Sequence, residues 1–263
     1  MMTPLLVVAM LMQAPAPDTS LFPAHEAMVR LYTNCDEPRW PWGTAERFVP
    51  KCDSELINGV ALRRVLESRW RDWFALKGGD TIRPTPQDSW VFPLAERGRL
   101  LDNFNNPRAD GPHEALDIFV PREGGLVRTP VSGVVVAMGD TWQGGWARAK
   151  GGFHYEGGGL SRRAGNGVMI FDPSSGGYVY FAHMMPGILV HTGDVVPAGE
   201  ALGHVGHTGN AAQPGHGRHL HFAFKEPGTA CNVEGVLVPI DPYRTLRSAR
   251  ARLPRAPGAP GHR

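Results

Sequence analysis

His113 and Asp117 stand four residues apart, His183 stands by itself, and His219 and His221 are separated by one residue. These are the side-chain types that hold zinc at a catalytic site, where three protein ligands leave a fourth position for water. Residues two apart on a strand share a face, so His219 and His221 project together, about 6–7 Å apart along the chain. One of that pair can bind metal while the other faces the reaction. If His113 closes a loop over 107–112 and Asp117 lies in the strand that follows, both can turn to one ion. The sequence contains no Cys-x-x-Cys pair and no His-Glu-x-x-His motif. A thiolate site is therefore disfavoured, and a general base has to come from elsewhere.

Such residues need strands to carry them. From Trp90 to Tyr243 short runs rich in β-branched and aromatic residues alternate with Gly, Pro, Asn and Asp. Strands are expected over 115–120, 133–138, 168–171, 178–183, 201–205 and 219–225, with no long helix between them, which is the pattern of an antiparallel sheet. Each of the three chemistry-bearing groups falls on one of these strands or at its end. The stretch 139–165, rich in Gly, Trp and Arg, reads as a long inserted loop on one rim. Ahead of this region, 54–76 reads as a helix. Leu62, Val65, Leu66, Trp70, Trp73 and Phe74 recur at helical spacing with Arg63, Arg64, Glu67, Arg71 and Asp72 between them. Ser54 offers an N-cap and Gly78-Gly79 mark its end. A second, shorter helix is expected over 24–32.

The blocks His113-Glu114-Ala115-Leu116-Asp117-Ile118, Pro130-Val131-Ser132-Gly133-Val134-Val135 and Gly165-Asn166-Gly167-Val168-Met169-Ile170 are followed by Tyr180-Phe181-Ala182-His183-Met184. After them come Val195-Val196-Pro197-Ala198-Gly199-Glu200, Gly206-His207-Thr208-Gly209 and His219-Leu220-His221-Phe222. In this order the seven blocks resemble the lysostaphin/LytM-type zinc metallopeptidases, a family of cell-wall endopeptidases. The resemblance covers roughly 90–242. It implies a mainly β fold: an antiparallel β-sheet metallopeptidase domain, here with a small N-terminal helical region. It also implies one zinc ion per chain held by His113, Asp117 and His221, with His183 and His219 as the two catalytic histidines. On this reading His219 takes the proton from water, while His183 stabilises the oxyanion or protonates the leaving amine.

The chain departs from the family in places. Ala115 stands where Gly is common, and the segments 139–165 and 208–219 are long, so substrate preference does not carry over. Asn166, His207 and His216 are candidates for contacts along the substrate groove. Two alternatives are a non-catalytic LytM-like regulator of other wall hydrolases and a different zinc D,D-peptidase. The first would lack one of the five key residues. The second would need a glutamate base that the sequence does not place.

Composition bounds the rest. Apolar residues make up 42 % of the 263, enough for a core. A formal charge of +2 is too small to imply a nucleic-acid partner. No apolar run reaches the roughly 18 residues of a membrane span. The expected partner is a peptidoglycan peptide, and the chain is expected to act as a monomer. Residues 5–12 followed by Ala14-Pro15-Ala16 read as a signal peptide, hence export to the periplasm or outside. In an exported chain Cys35 and Cys52 could close a disulfide. The expected organisation is a leader over 1–20, a helical region over 21–85, the metallopeptidase domain over 86–243, and a disordered Arg/Pro-rich tail over 244–263.

Overall fold

The computed structural model describes residues 54–108, 111–120, 125–147, 152–230 and 233–254. The expected leader, the helix over 24–32 and all three cysteines lie outside the described residues. Helix α1 (Ser54–Gly78) comes first, followed by β1 (Arg99–Leu100), β2 (Pro107–Arg108), β3 (Gly111–Pro112), β4 (Leu116–Phe119) and β5 (Leu126–Arg128). Next are β6 (Gly133–Gly139), β7 (Gln143–Ala147), β8 (Gly152–Gly157), β9 (Asn166–Asp172) and β10 (Gly177–Met184). The chain continues through β11 (Val195–Val196), β12 (Ala201–His204), β13 (His219–Ala230) and β14 (Val233–Pro239) to helix α2 (Tyr243–Ala251). The fold is mainly β, and the large sheet is antiparallel with strand order β1-β4-β13-β10-β9-β6-β11, β14 pairing with the far half of β13.

Side-chain alternation gives the sheet two different faces. Leu116 and Ile118 of β4, Val179 and Phe181 of β10, and Leu220, Phe222 and Phe224 of β13 enter one core with Trp90, Phe92, Leu94 and Leu246. The intervening residues point the other way. There Phe171 and Tyr178 meet Trp70 and Phe74 of α1. The Trp70 ring lies 5.4 Å from Phe171 and 6.2 Å from Tyr178 between centroids. Helix α1 thus covers the β6–β9–β10 end of this face, while β4 and the start of β13 hold the site residues.

The buried stripe of α1 differs from the expected one. Arg63 and Glu67 are buried and Val65 is 53 % exposed. The stripe runs through Val60, Arg63, Glu67, Trp70 and Phe74, at helical spacing, but two of its members are charged. They are tolerated because they pair. Arg63 Nε donates to Glu67 Oε1 at 2.7 Å, Tyr178 Oη donates to the same oxygen at 2.9 Å, and Arg63 Nη2 donates to the Gly235 carbonyl. The helix closes on Gly79, whose φ of +53° lets its N–H reach back to Ala75 O at 3.1 Å.

Two further expectations are corrected. The inserted segment 139–165 contains the antiparallel pair of β7 with β8 rather than loop alone, and at Gly144 a Cβ would come within 2.7 Å of the His154 carbonyl oxygen. The chain beyond 243 is not a tail at its start: α2 buries Leu246 and Ala249 against the core. Arg250 and, just past its end, Arg252 are tied to backbone carbonyls. Arg250 Nε donates to Gly98 O at 3.0 Å and Arg252 Nη2 to Trp90 O at 2.6 Å.

Candidate metal centre

Strand register builds the site. On β4 and β13, His221 stands directly opposite Asp117, and His219 directly opposite Phe119; on β10, Ala182 stands opposite His221. Residues opposed in this way share a face. His113 enters from the turn just before β4, where its N–H donates to Asn106 O at 2.9 Å. Glu114 follows at φ +55°, a left-handed conformation that redirects the chain into the strand. His183 is the other left-handed non-glycine residue among those described, at φ +64°, where the β9–β10 register slips between Phe181 and Met184. That kink brings its ring to the same face, with centroids 5.0 Å from His219 and 5.6 Å from His221. All five site residues of the sequence reading therefore meet at one place.

His113, Asp117 and His221 form the metal-type group. His113 Nε2 lies 3.2 Å from His221 Nδ1 and 3.4 Å from Asp117 Oδ1, and His221 Nδ1 lies 3.6 Å from that oxygen. Ligands about 2.0–2.1 Å from a tetrahedral zinc are separated by about 3.3 Å, so the spacing fits. Asp117 Oδ1 supplies the chemical test. It is buried with no hydrogen-bond partner, whereas Oδ2 accepts from Asn103 Nδ2 at 2.8 Å and Arg108 Nη2 at 3.2 Å. An unpartnered buried carboxylate oxygen among imidazole nitrogens is what a cation would satisfy. His219 Nε2 is also 3.6 Å from Asp117 Oδ1, so distance to the carboxylate alone does not separate it from His221. The mutual closeness of the other three does.

Backbone carbonyls set the imidazoles. A carbonyl can only accept, so a ring nitrogen bonded to one carries the proton and leaves the other bare. His113 Nδ1 faces Asn103 O at 3.2 Å, His219 Nδ1 faces Gly217 O at 2.8 Å, and His183 Nδ1 faces both Ala164 O at 3.1 Å and Thr208 O at 3.0 Å. Each of the three is thereby left with an unprotonated Nε2. Burial pushes His113 down to about 4, aided by His221 and Arg108 and opposed by Asp117. Burial, then the charges of His221 and His219, hold His183 well below the usual imidazole range. His219 is also lowered, chiefly by burial. Burial would push the Asp117 carboxyl up, but His221, His113 and His219 outweigh it and hold the group well below the usual carboxylate range. Neutral imidazoles beside an ionised carboxylate are the protonation states a metal requires.

The three groove candidates behave differently. Asn166 is fully buried at the start of β9, where its Oδ1 accepts from Trp142 N at 2.9 Å and its N–H donates to Thr208 Oγ1 at 3.0 Å. It joins the inserted segment to the sheet. His207 Nε2 lies 2.8 Å from the carbonyl of exposed His216, so these two close a surface loop over 207–216. Sequence reasoning missed Asn103, Arg108 and Phe119. Asn103 and Arg108, the latter on β2, sit in the segment leading to His113, and only their closeness to that histidine in the chain hinted at them.

The fold and site together define an antiparallel β-sheet domain whose surface strands assemble a His/Asp/His metal-type cluster. Residues 111–233 match the model of peptidase family M23. The match spans all five site residues. Solved structures similar to the chain include a candidate M23 peptidase from Pseudomonas aeruginosa, at 24 % identity over 65 % of this chain and 57 % of that one, TM-score 0.37. Lysostaphin from Staphylococcus simulans is similar at 19 % identity over 66 % and 59 %, TM-score 0.41, and a protein named LytM from Ruminococcus gnavus at 20 % over 87 % of each chain, TM-score 0.47. The chain thus spans less than two thirds of the length of the first two. A comparison with curated proteins found no match.

Proposed function

We propose that the chain is a zinc-dependent endopeptidase that hydrolyses peptide bonds in bacterial cell-wall peptidoglycan. The observation that carries this reading is the orphaned Asp117 Oδ1, set 3.4 Å from His113 Nε2 and 3.6 Å from His221 Nδ1. The match of residues 111–233 to a peptidase family supports peptide hydrolysis. His113, Asp117 and His221 would hold the ion through Nε2, Oδ1 and Nδ1. When bound there, zinc supplies Lewis acidity toward a carbonyl oxygen and lowers the pKa of water to about 7.

The remaining chemistry belongs to the protein. His219 offers a bare Nε2 while Gly217 O holds its Nδ1 proton, so it accepts the proton of the attacking water. His183 is positioned beside it with the same bare nitrogen. It can receive on that nitrogen the proton His219 has taken from water and, because burial disfavours its charged form, pass it on to the leaving amine. The catalytic domain is assigned to 86–243, with helix α1 (Ser54–Gly78) packed against it, and the enzyme acts after export, in the periplasm or outside the cell. No described helix is long and apolar enough to cross a membrane.

The test is digestion of purified peptidoglycan by the zinc-loaded chain, with mass spectrometry of the products. New amino termini within stem peptides or cross-bridges are expected. Intact peptidoglycan from a preparation holding one zinc per chain would refute the reading.

A further inference from the structure

Asn103 touches two of the three residues of the metal-type cluster through different atoms. Its Nδ2 donates to Asp117 Oδ2 at 2.8 Å, and its Oδ1 accepts from Asp117 N at 3.1 Å. Its backbone carbonyl faces His113 Nδ1 at 3.2 Å. The residue is 4 % exposed, so water has little access to replace these partners. Backbone bonds fasten the same loop to the ligand strand. Leu101 N donates to Asp117 O at 3.0 Å, and Glu114 N donates to Phe104 O at 2.8 Å.

A carboxylate free to rotate can offer a metal either oxygen or both. Here the rotation is stopped: Asn103 and Arg108 occupy Oδ2, and Oδ1 alone faces His113, His219 and His221. We propose that Asn103 is the positioning residue of the zinc centre, its carboxamide holding Asp117 as a one-oxygen ligand while its carbonyl keeps His113 turned with Nε2 inward. This rests on the zinc-peptidase reading and deepens it.

The amide is the group the geometry demands. Asp117 presents an N–H and a carboxylate oxygen to it, so the partner must accept with one atom and donate with its neighbour. Aspartate at 103 could serve only the N–H and would place a second negative charge beside Oδ2. Leucine could serve neither. Arg108 makes the longer contact from a side chain that is 45 % exposed, so its share in holding the carboxylate is smaller.

The experiment uses the full chain with Asn103→Asp, Asn103→Leu and Arg108→Gln. Zinc affinity is measured by competition with a chromophoric chelator, and unfolding of the metal-free proteins by circular dichroism. Both Asn103 variants are expected to bind zinc about 10–100-fold more weakly than the wild type, the usual cost of losing a partner behind a metal ligand. Arg108→Gln is expected to fall short of that range. The cobalt(II)-loaded Asn103 variants should also show an altered visible d–d spectrum, because the coordination of Asp117 changes. A purely structural role would not produce that signal. Zinc affinity within twofold of the wild type in both Asn103 variants overturns the inference alone. Loss of cooperative unfolding in both overturns it too, since Asn103 would then be a folding residue. A wild-type chain that binds no zinc overturns both this inference and the reading beneath it.

Discussion

The imidazole of His219 lies stacked on the phenyl ring of Phe119, with 5.0 Å between centroids and 29° between planes. The two are direct cross-strand partners on β13 and β4, so the sheet itself imposes the contact. Arg99 adds its guanidinium 4.9 Å from the Phe119 centroid. With Gly217 O holding Nδ1, the ring of the proposed base is fixed both in plane and in rotation. Phe119→Leu should keep the zinc but release that plane. A fall in kcat of about 10- to 100-fold with little change in KM is expected, measured by steady-state kinetics on a peptide substrate. Phe119→Tyr, which keeps the ring, should retain most of the rate.

The five site residues should separate into two groups. His113→Ala and His221→Ala remove a ring nitrogen from the cluster and should abolish zinc retention on dialysis, read by elemental analysis. His183→Ala and His219→Ala should retain the metal and lose rate by roughly 10²–10⁴. A fully active His219→Ala protein would refute its role as base.

Acid should destabilise the metal-free protein. His113 has its pKa lowered from 6.5 to about 4, so between these values the unfolded chain binds a proton that the folded one refuses. Its contribution is complete above about pH 6.5 and is lost as pH falls toward 4, on the order of 3 kcal/mol for this group. His183 and His219 are shifted in the same direction. The thermal midpoint of the metal-free chain is therefore expected to drop steadily from pH 7 to pH 5. A flat profile would show that the imidazoles are not held in the neutral form.

Helix α1 should behave as part of the same folding unit as the sheet. Trp70 is 1 % exposed and packs on Phe171 and Tyr178. Trp70→Ala should cost about 3–5 kcal/mol, measured by urea unfolding. Glu67→Gln should cost a comparable amount in the same measurement, because Arg63 then loses its counter-charge in a buried setting even though the carboxamide can still accept from Tyr178 Oη.

Much of the sheet was legible in advance. The expected strands over 133–138, 178–183 and 201–205 match β6, β10 and β12 to within a residue or so at each end, because period-two patterning and glycine-marked turns are local signals. Arg63 and Glu67 fall between the apolar residues of the expected stripe, where charge normally marks solvent. Only the hydroxyl of Tyr178 and the carbonyl of Gly235, both more than a hundred residues away, make their burial tolerable. The helix over 243–251 was hidden for a similar reason. Arg250 and Arg252 at its end bond to carbonyls of Gly98 and Trp90, which no local window contains.

By itself the sequence determined the donor set and its local phase: two histidines one residue apart on a strand must share a face, and Asp117 must point away from Leu116 and Ile118. It did not determine which histidine meets the carboxylate. That was decided by the pairing of β13 with β4, where a slip of two residues would set His219 opposite Asp117 and a slip of one would break the shared face altogether. Register is a property of a hydrogen-bond ladder between segments a hundred residues apart, and the carbonyls of Asn103, Ala164 and Thr208 reach His113 and His183 from 10, 19 and 25 residues away. Those relations exist only once the chain has folded.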